Sequence, residues 1–176
     1  MNKIEIQKIL IDAKTIEKRV KELAGEISRD YAGKDPVLVG IMKGAVVFLA
    51  DLMRRMTIPA AVDFVHASSY GKSTMSSRQV MIRKDADIDV AGRDVLLVDA
   101  VIDTGLTLSR LFEHFQRKGP ASLKAVVLLD KKPCRIADVP LAYRGFEIQD
   151  LFVVGYGVDC AELCRNLPYV AVIKPA

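Results

Sequence analysis

The chain has 176 residues, 51% of them apolar and 27% charged, and a net charge of +4. This length and balance describe one globular domain with a core of its own and exclude a disordered chain. The small basic excess suits a protein that handles polyanions but falls short of the basic stripe that would point to nucleic acid.

The N-terminal run MNKIEIQKILI alternates apolar and polar residues and lacks the uninterrupted apolar stretch of a signal peptide. The longest apolar region, Val37 to Leu52, is crossed by Lys43 and Asp51, so the expectation is a cytoplasmic protein with no membrane span. From Asp12 to Tyr31, apolar residues recur at Ile16, Val20, Leu23 and Ile27, the spacing of an amphipathic helix closed by Gly33. Val37 to Ile41 is an apolar run of strand length, and Val46 to Met56 reads as the helix after it.

Ala61 to Ala67 and Arg78 to Arg83 read as further strands, separated by the polar stretch SSYGKSTMSS, which reads as an exposed loop. Val95 to Val98 is a buried-type strand ending in Asp99, and a helix is expected from Leu106 to Arg117. Ala125 to Leu129 and Leu151 to Val154 are expected as a third and a fourth apolar strand. Strand and helix alternate through the centre, which implies an α/β domain around a mostly parallel sheet. Cys134, Cys160 and Cys164 cannot form a complete disulfide set and are read as reduced thiols.

The chemistry concentrates in Val95-Leu96-Leu97-Val98-Asp99-Ala100-Val101-Ile102-Asp103-Thr104-Gly105-Leu106-Thr107. Ligands of parallel sheets bind beyond the carboxyl ends of the strands. This segment sends Asp99 and Asp103 to that edge, then opens a helix with hydroxyls and free backbone N–H groups, an arrangement that binds a phosphate monoester. Simple helix capping by Asp103 or Thr104 is the competing reading of Asp-Thr-Gly-Leu-Thr taken alone. The aspartic-protease reading of Asp-Thr-Gly fails because that fold is all-β.

Residues 95–107 resemble the phosphoribosyl pyrophosphate signature of the type I phosphoribosyltransferases, and Asp103 resembles their purine-salvage branch, the hypoxanthine-guanine enzymes. Met42-Lys43-Gly44, Ser68-Ser69-Tyr70-Gly71, Leu129-Asp130-Lys131, Phe146-Glu147-Ile148, the stretch Phe152 to Asp159 and Arg165-Asn166-Leu167-Pro168-Tyr169 continue the match in order. The resemblance implies one domain over residues 1–176, with a core at about 35–150 and a small hood from about 1–12 and 150–176.

It also implies a reaction: a 6-oxopurine base, hypoxanthine or guanine, displaces pyrophosphate from phosphoribosyl pyrophosphate to give a nucleoside monophosphate. Asp103 then exchanges a proton with the purine. Asp99, Thr104, Gly105, Leu106 and Thr107 hold the ribose and its 5′-phosphate, and Lys43, Gly44 and Arg165 hold pyrophosphate. Lys131 reads the purine oxygen, Phe152 stacks on the base, and Val153 reads its edge through the backbone. Ser69 and Tyr70 belong to a mobile loop over the reaction. Mg2+ is the implied cofactor, with Asp159 and Asp99 as its protein ligands. A homodimer or homotetramer and a cis peptide between Met42 and Lys43 follow from the same resemblance.

The chain departs from the family twice. Family members carry a second acidic residue where Ala100 stands, and usually a lysine where Leu151 stands. Ala100 raises the alternative of a low-activity or regulatory ligand-binding protein on the same scaffold.

Overall fold

The structure, a computed structural model, describes residues 4–69 and 80–174. In chain order its elements are β1 (Ile6–Ile11), α1 (Ala13–Asp30), β2 (Val37–Met42), α2 (Val46–Met53), β3 (Ala61–Ser69) and β4 (Val80–Lys84). They continue with β5 (Asp94–Ile102), α3 (Leu106–Gln116), β6 (Ser122–Asp130), β7 (Leu141–Glu147), β8 (Val153–Val154) and β9 (Val170–Ile173).

Six strands form the main sheet in the order β4-β3-β2-β5-β6-β7. All neighbours are parallel except β4, which runs antiparallel to β3. The apolar runs are explained by burial on both faces. Along β5, Leu96 and Val98 face the layer of α1 and α2, while Val95 and Leu97 face Leu108, Leu111 and Phe115 of α3. Period-2 alternation therefore points each successive side chain into a different half of the core. Helix α1 buries Ile16, Val20, Leu23 and Ile27, and Asp12 caps it by accepting from Thr15 N at 2.8 Å.

A second sheet of three strands, β1-β9-β8, joins the two ends of the chain. It is antiparallel throughout and is tied to the main body by Tyr156, whose hydroxyl donates to Asp51 of α2. No helix among the described residues is long and apolar enough to cross a membrane.

Two expectations change. The strand expected at Leu151 to Val154 shrinks to Val153–Val154 and belongs to the small sheet, because Val153 and Val154 pair with β9 rather than with β6. The main sheet is instead completed by β7, whose central Arg144 and Gly145 break the apolar pattern that marks its neighbours. The strand expected at Val95 to Val98 runs on to Ile102, paired with β6 as far as Asp130.

From β2 the sheet grows outward through β3, and from β5 it grows the other way through β6. The β2/β5 boundary is thus the switch point, where the loops that follow two adjacent strands part and leave a crevice. The loop after β2 begins at Lys43 and the loop after β5 at Asp103.

Candidate functional site

At the end of β5 the chain bends through Asp103, Thr104 and Gly105 into α3. The residue at the helix N-cap is Gly105, in the left-handed region at φ 81°, which has no side chain to cap the first turn; Thr104 Oγ1 offers Leu106 N one long contact at 3.5 Å. This removes the simple capping reading of Asp103 and leaves Thr104 only that one long contact. The first-turn N–H groups, with the positive end of the helix dipole, are left for an external acceptor. The turn is braced from outside, since Ile136 N and Ala137 N each donate to Thr104 O at 2.9 Å. A Cβ at Gly105 would lie 2.9 Å from Ala137 O, so only glycine lets the two loops meet.

Asp103 is half exposed, and its carboxylate lies 3.0 Å from the Lys131 Nζ. Lys131 is largely buried, reaches this position from the end of β6, and has Asp150 4.0 Å away on its other side. The residue before it fixes where that strand ends. Asp130 is fully buried and paired with Arg135 and, at 2.8 Å, with Arg144. Lys131 N also donates to Ile102 O at 3.0 Å, so the two strand ends are locked together and Asp103 and Lys131 are presented as a pair.

Asp99 lies one step back along β5, intermediate in exposure, with Oδ1 accepting from Ala100 N at 2.8 Å. Burial pushes its carboxyl up to about 7, against the pull of the Ala100 and Val101 N–H groups, and the nearby charge of Asp103 adds to the rise. Ala100 is fully buried and faces the turn after β2, where a Cβ at Gly44 would lie 3.6 Å from its own.

The Met42–Lys43 peptide is cis, as expected. On the far side of this turn comes the loop after β8. Gly157, at φ 97°, approaches so closely that a Cβ there would lie 2.2 Å from Gly44 O. Arg165 donates to Gly157 O at 2.8 Å and pairs with Asp159 at 2.8 Å, so it stands on the same side as Lys43. Glu162 joins the two cations, 2.8 Å from Lys43 Nζ and 3.2 Å from Arg165 Nη2. Asp159 has both oxygens engaged within this loop, one by Arg165 and the other by Glu162 N at 2.8 Å.

Phe152 is 48% exposed, which is too open for a core aromatic, and its carbonyl accepts from Ile173 N at 3.0 Å. Val153 is buried and paired with Val172. Ser69 ends β3 as backbone, while Tyr70 and the rest of the expected loop lie outside the described residues. Cys134, Cys160 and Cys164 are free thiols, and Cys160 forms an isolated bridge with Leu163 in a tight reversal.

Sequence reasoning missed Glu162 and the Asp130–Arg135–Arg144 group. Glu162 had a usable signal, standing three residues from both Asp159 and Arg165. The Asp130 group had none, since its members come together only when β7 closes the sheet edge.

No group of three or more His, Cys, Asp or Glu side chains suited to a metal occurs among the described residues. Magnesium needs none, because it binds one or two carboxylates together with substrate phosphates. Asp99, a partly buried carboxylate met by backbone N–H groups, fits that requirement, and Asp159 fits it less well because its oxygens are occupied.

The family model described as "Phosphoribosyl transferase domain" matches residues 7–161. The hypoxanthine-guanine phosphoribosyltransferase of Bacillus subtilis (strain 168) is 48% identical over 176 residues, covering 100% of this chain and 98% of that protein. The protein of the same name from Aquifex aeolicus (strain VF5) is 46% identical over 168 residues, covering 95% of this chain and 94% of that one. Among solved structures, a hypoxanthine-guanine phosphoribosyltransferase from Bacillus anthracis matches with a TM-score of 0.91 at 42% identity, over 98% of this chain and 100% of that chain.

The raised Asp99 carboxyl makes a stability prediction. A carboxyl whose folded pKa lies above its unfolded value destabilises the fold increasingly as pH rises between the two, and fully above the higher one. Asp99→Asn removes the charge and keeps the shape. It is expected to stabilise the protein by about 2–4 kcal/mol at pH 8 and by much less at pH 4.5, read from urea unfolding at both values. Equal effects at the two pH values would show that Asp99 titrates normally.

Proposed function

The chain belongs to the phosphoribosyltransferase family, and on that premise we propose that it joins hypoxanthine or guanine to phosphoribosyl pyrophosphate, releasing pyrophosphate and IMP or GMP. The observation that carries the reading is the pairing of a helix N-terminus whose N-cap is glycine with Asp103 and Lys131, 3.0 Å apart, at the switch point of the sheet.

The 5′-phosphate accepts from the first-turn N–H groups of Thr104 to Thr107 and from the two threonine hydroxyls. This fixes the sugar, so that its C1 is held in the crevice between the loops after β2 and β5. Lys43, the N–H groups around Gly44, and Arg165 take the pyrophosphate. Asp99 accepts from the ribose hydroxyls. Magnesium would offset the negative charge of the leaving pyrophosphate, and Asp99 and Asp159 are the residues that would hold it.

The purine enters against Phe152, with Val153 offering backbone groups to its edge. Lys131 donates to the exocyclic oxygen, which selects a 6-oxopurine over adenine because lysine has donors only. As the C1–oxygen bond to pyrophosphate breaks and the C1–nitrogen bond forms, the purine loses a proton. Asp103 accepts it at N7. The loop that begins at Ser69 and Tyr70 shields the reacting sugar from water. A homodimer or homotetramer in the cytoplasm completes the proposal.

The regulatory alternative raised by Ala100 has no observation in its favour, since relatives across the full chain carry transferase names. Ala100 bears on efficiency instead. It removes one charged acceptor near the ribose, a contact of about 1.5–3 kcal/mol.

Conversion of radiolabelled hypoxanthine to IMP, with phosphoribosyl pyrophosphate and magnesium, tests the function directly; a full chain that makes no nucleotide overturns it. In that assay Asp103→Asn is expected to slow turnover roughly a hundredfold, the lower end of what general acid–base catalysis supplies. Undiminished turnover would remove Asp103 from the mechanism. Ala100→Asp is expected to raise kcat/KM for phosphoribosyl pyrophosphate by about tenfold, the equivalent of one charge-assisted hydrogen bond. No change would show that position 100 does not face the sugar.

A further inference from the structure

Where the loop after β8 meets the turn after β2, a single carboxylate lies between two cations. Glu162 Oε2 is 2.8 Å from Lys43 Nζ and 3.2 Å from Arg165 Nη2. These are the two side chains assigned above to pyrophosphate, and the inference rests on that assignment. A carboxylate held by both cations occupies, in charge and in place, the position of pyrophosphate oxygens. We propose that Glu162 is an internal competitor for pyrophosphate, and that its displacement sets how tightly phosphoribosyl pyrophosphate and the pyrophosphate product are held.

The arrangement is built for exchange. Glu162 and Lys43 are 64% and 50% exposed, so their attraction is screened and easily replaced by a ligand of higher charge. Arg165 does not rely on Glu162 for its position, because Gly157 O and Asp159 each hold it at 2.8 Å. The turn itself is held by the Glu162 backbone, whose N–H donates to Asp159 Oδ2 at 2.8 Å whatever the side chain. Removing the charge of Glu162 therefore frees the cations without dismantling their support. The functional consequence is two-sided: the competitor weakens capture of the sugar substrate and hastens departure of the product.

The test compares the full chain with Glu162→Gln, which is nearly isosteric and uncharged, and with Glu162→Asp, which keeps the charge on a shorter side chain. Melting temperatures establish that all three are equally folded. Glu162→Gln is expected to lower both the KM for phosphoribosyl pyrophosphate and the inhibition constant of pyrophosphate by about two- to tenfold, the scale of two exposed ion pairs. The KM for the purine should not move, and the gain should shrink as salt is raised. Glu162→Asp should stay nearer the parent. Calorimetric titration with magnesium pyrophosphate gives the same comparison without turnover.

Intact turnover with unchanged or weaker pyrophosphate binding in Glu162→Gln overturns the inference and leaves the transferase reading standing. A parent chain that makes no nucleotide, yet whose Glu162→Gln variant binds pyrophosphate more tightly, overturns the transferase reading and upholds the competitor. Failure of both proteins to bind pyrophosphate overturns the inference.

Discussion

A helix whose N-cap is glycine has no side chain to satisfy its first N–H groups. In this fold that deficiency sits at the crevice between two diverging halves of a parallel sheet. Much of the surrounding structure can be seen as maintaining it. The segment after β6 presses on Gly105 and hydrogen-bonds to Thr104 O, which holds the turn in place. The buried Asp130, clamped by Arg135 and Arg144, holds the neighbouring strand end in register. Breaking such a buried group by removing one partner is costly, because the remaining charge is stranded. The turn is therefore braced from both sides, and an anion bound there would require little reorganisation.

Around that braced turn the ligand-facing charges are paired with one another. Lys131 holds Asp103, and Glu162 holds Lys43 and Arg165. Each pair lies at the surface or opens onto it, where an ion pair contributes at most modestly. A bound purine and a bound pyrophosphate would each replace an internal partner with an external one. The protein thus avoids isolated charge when empty and yields its charges at small cost when filled. Asp99 differs, with burial raising its carboxyl and backbone N–H groups rather than a side-chain cation opposing the rise.

Local patterns carried much of this into the sequence. The helix from Asp12 was legible because burial imposes a 3.6-residue period, and β2, β5 and β6 because burial on both faces leaves continuous apolar runs. Lys43 stood out by interrupting such a run, and the cis peptide before it followed from resemblance alone. What escaped notice depended on assembly. β7 carries Arg144 to pair with the buried Asp130 and Gly145 because a Cβ there would lie 2.3 Å from Leu128 O, and β8 is too short for any period to show. The link between Gly157 and Gly44, across 113 residues, leaves no trace in either segment's pattern. Glu162 went unremarked because its meaning comes from Lys43, which only the folded chain brings beside it.

The claim on which the account turns is that the loop between β5 and α3 binds a phosphate ester. Thermal unfolding of the full chain with IMP or with inosine, which lacks only the 5′-phosphate, isolates that contact. A ligand that binds the folded state alone raises the melting temperature with concentration. The account predicts a dose-dependent rise with IMP and little or none with inosine over the same range. Equal rises with the two ligands would mean that the phosphate is not held, and would contradict it.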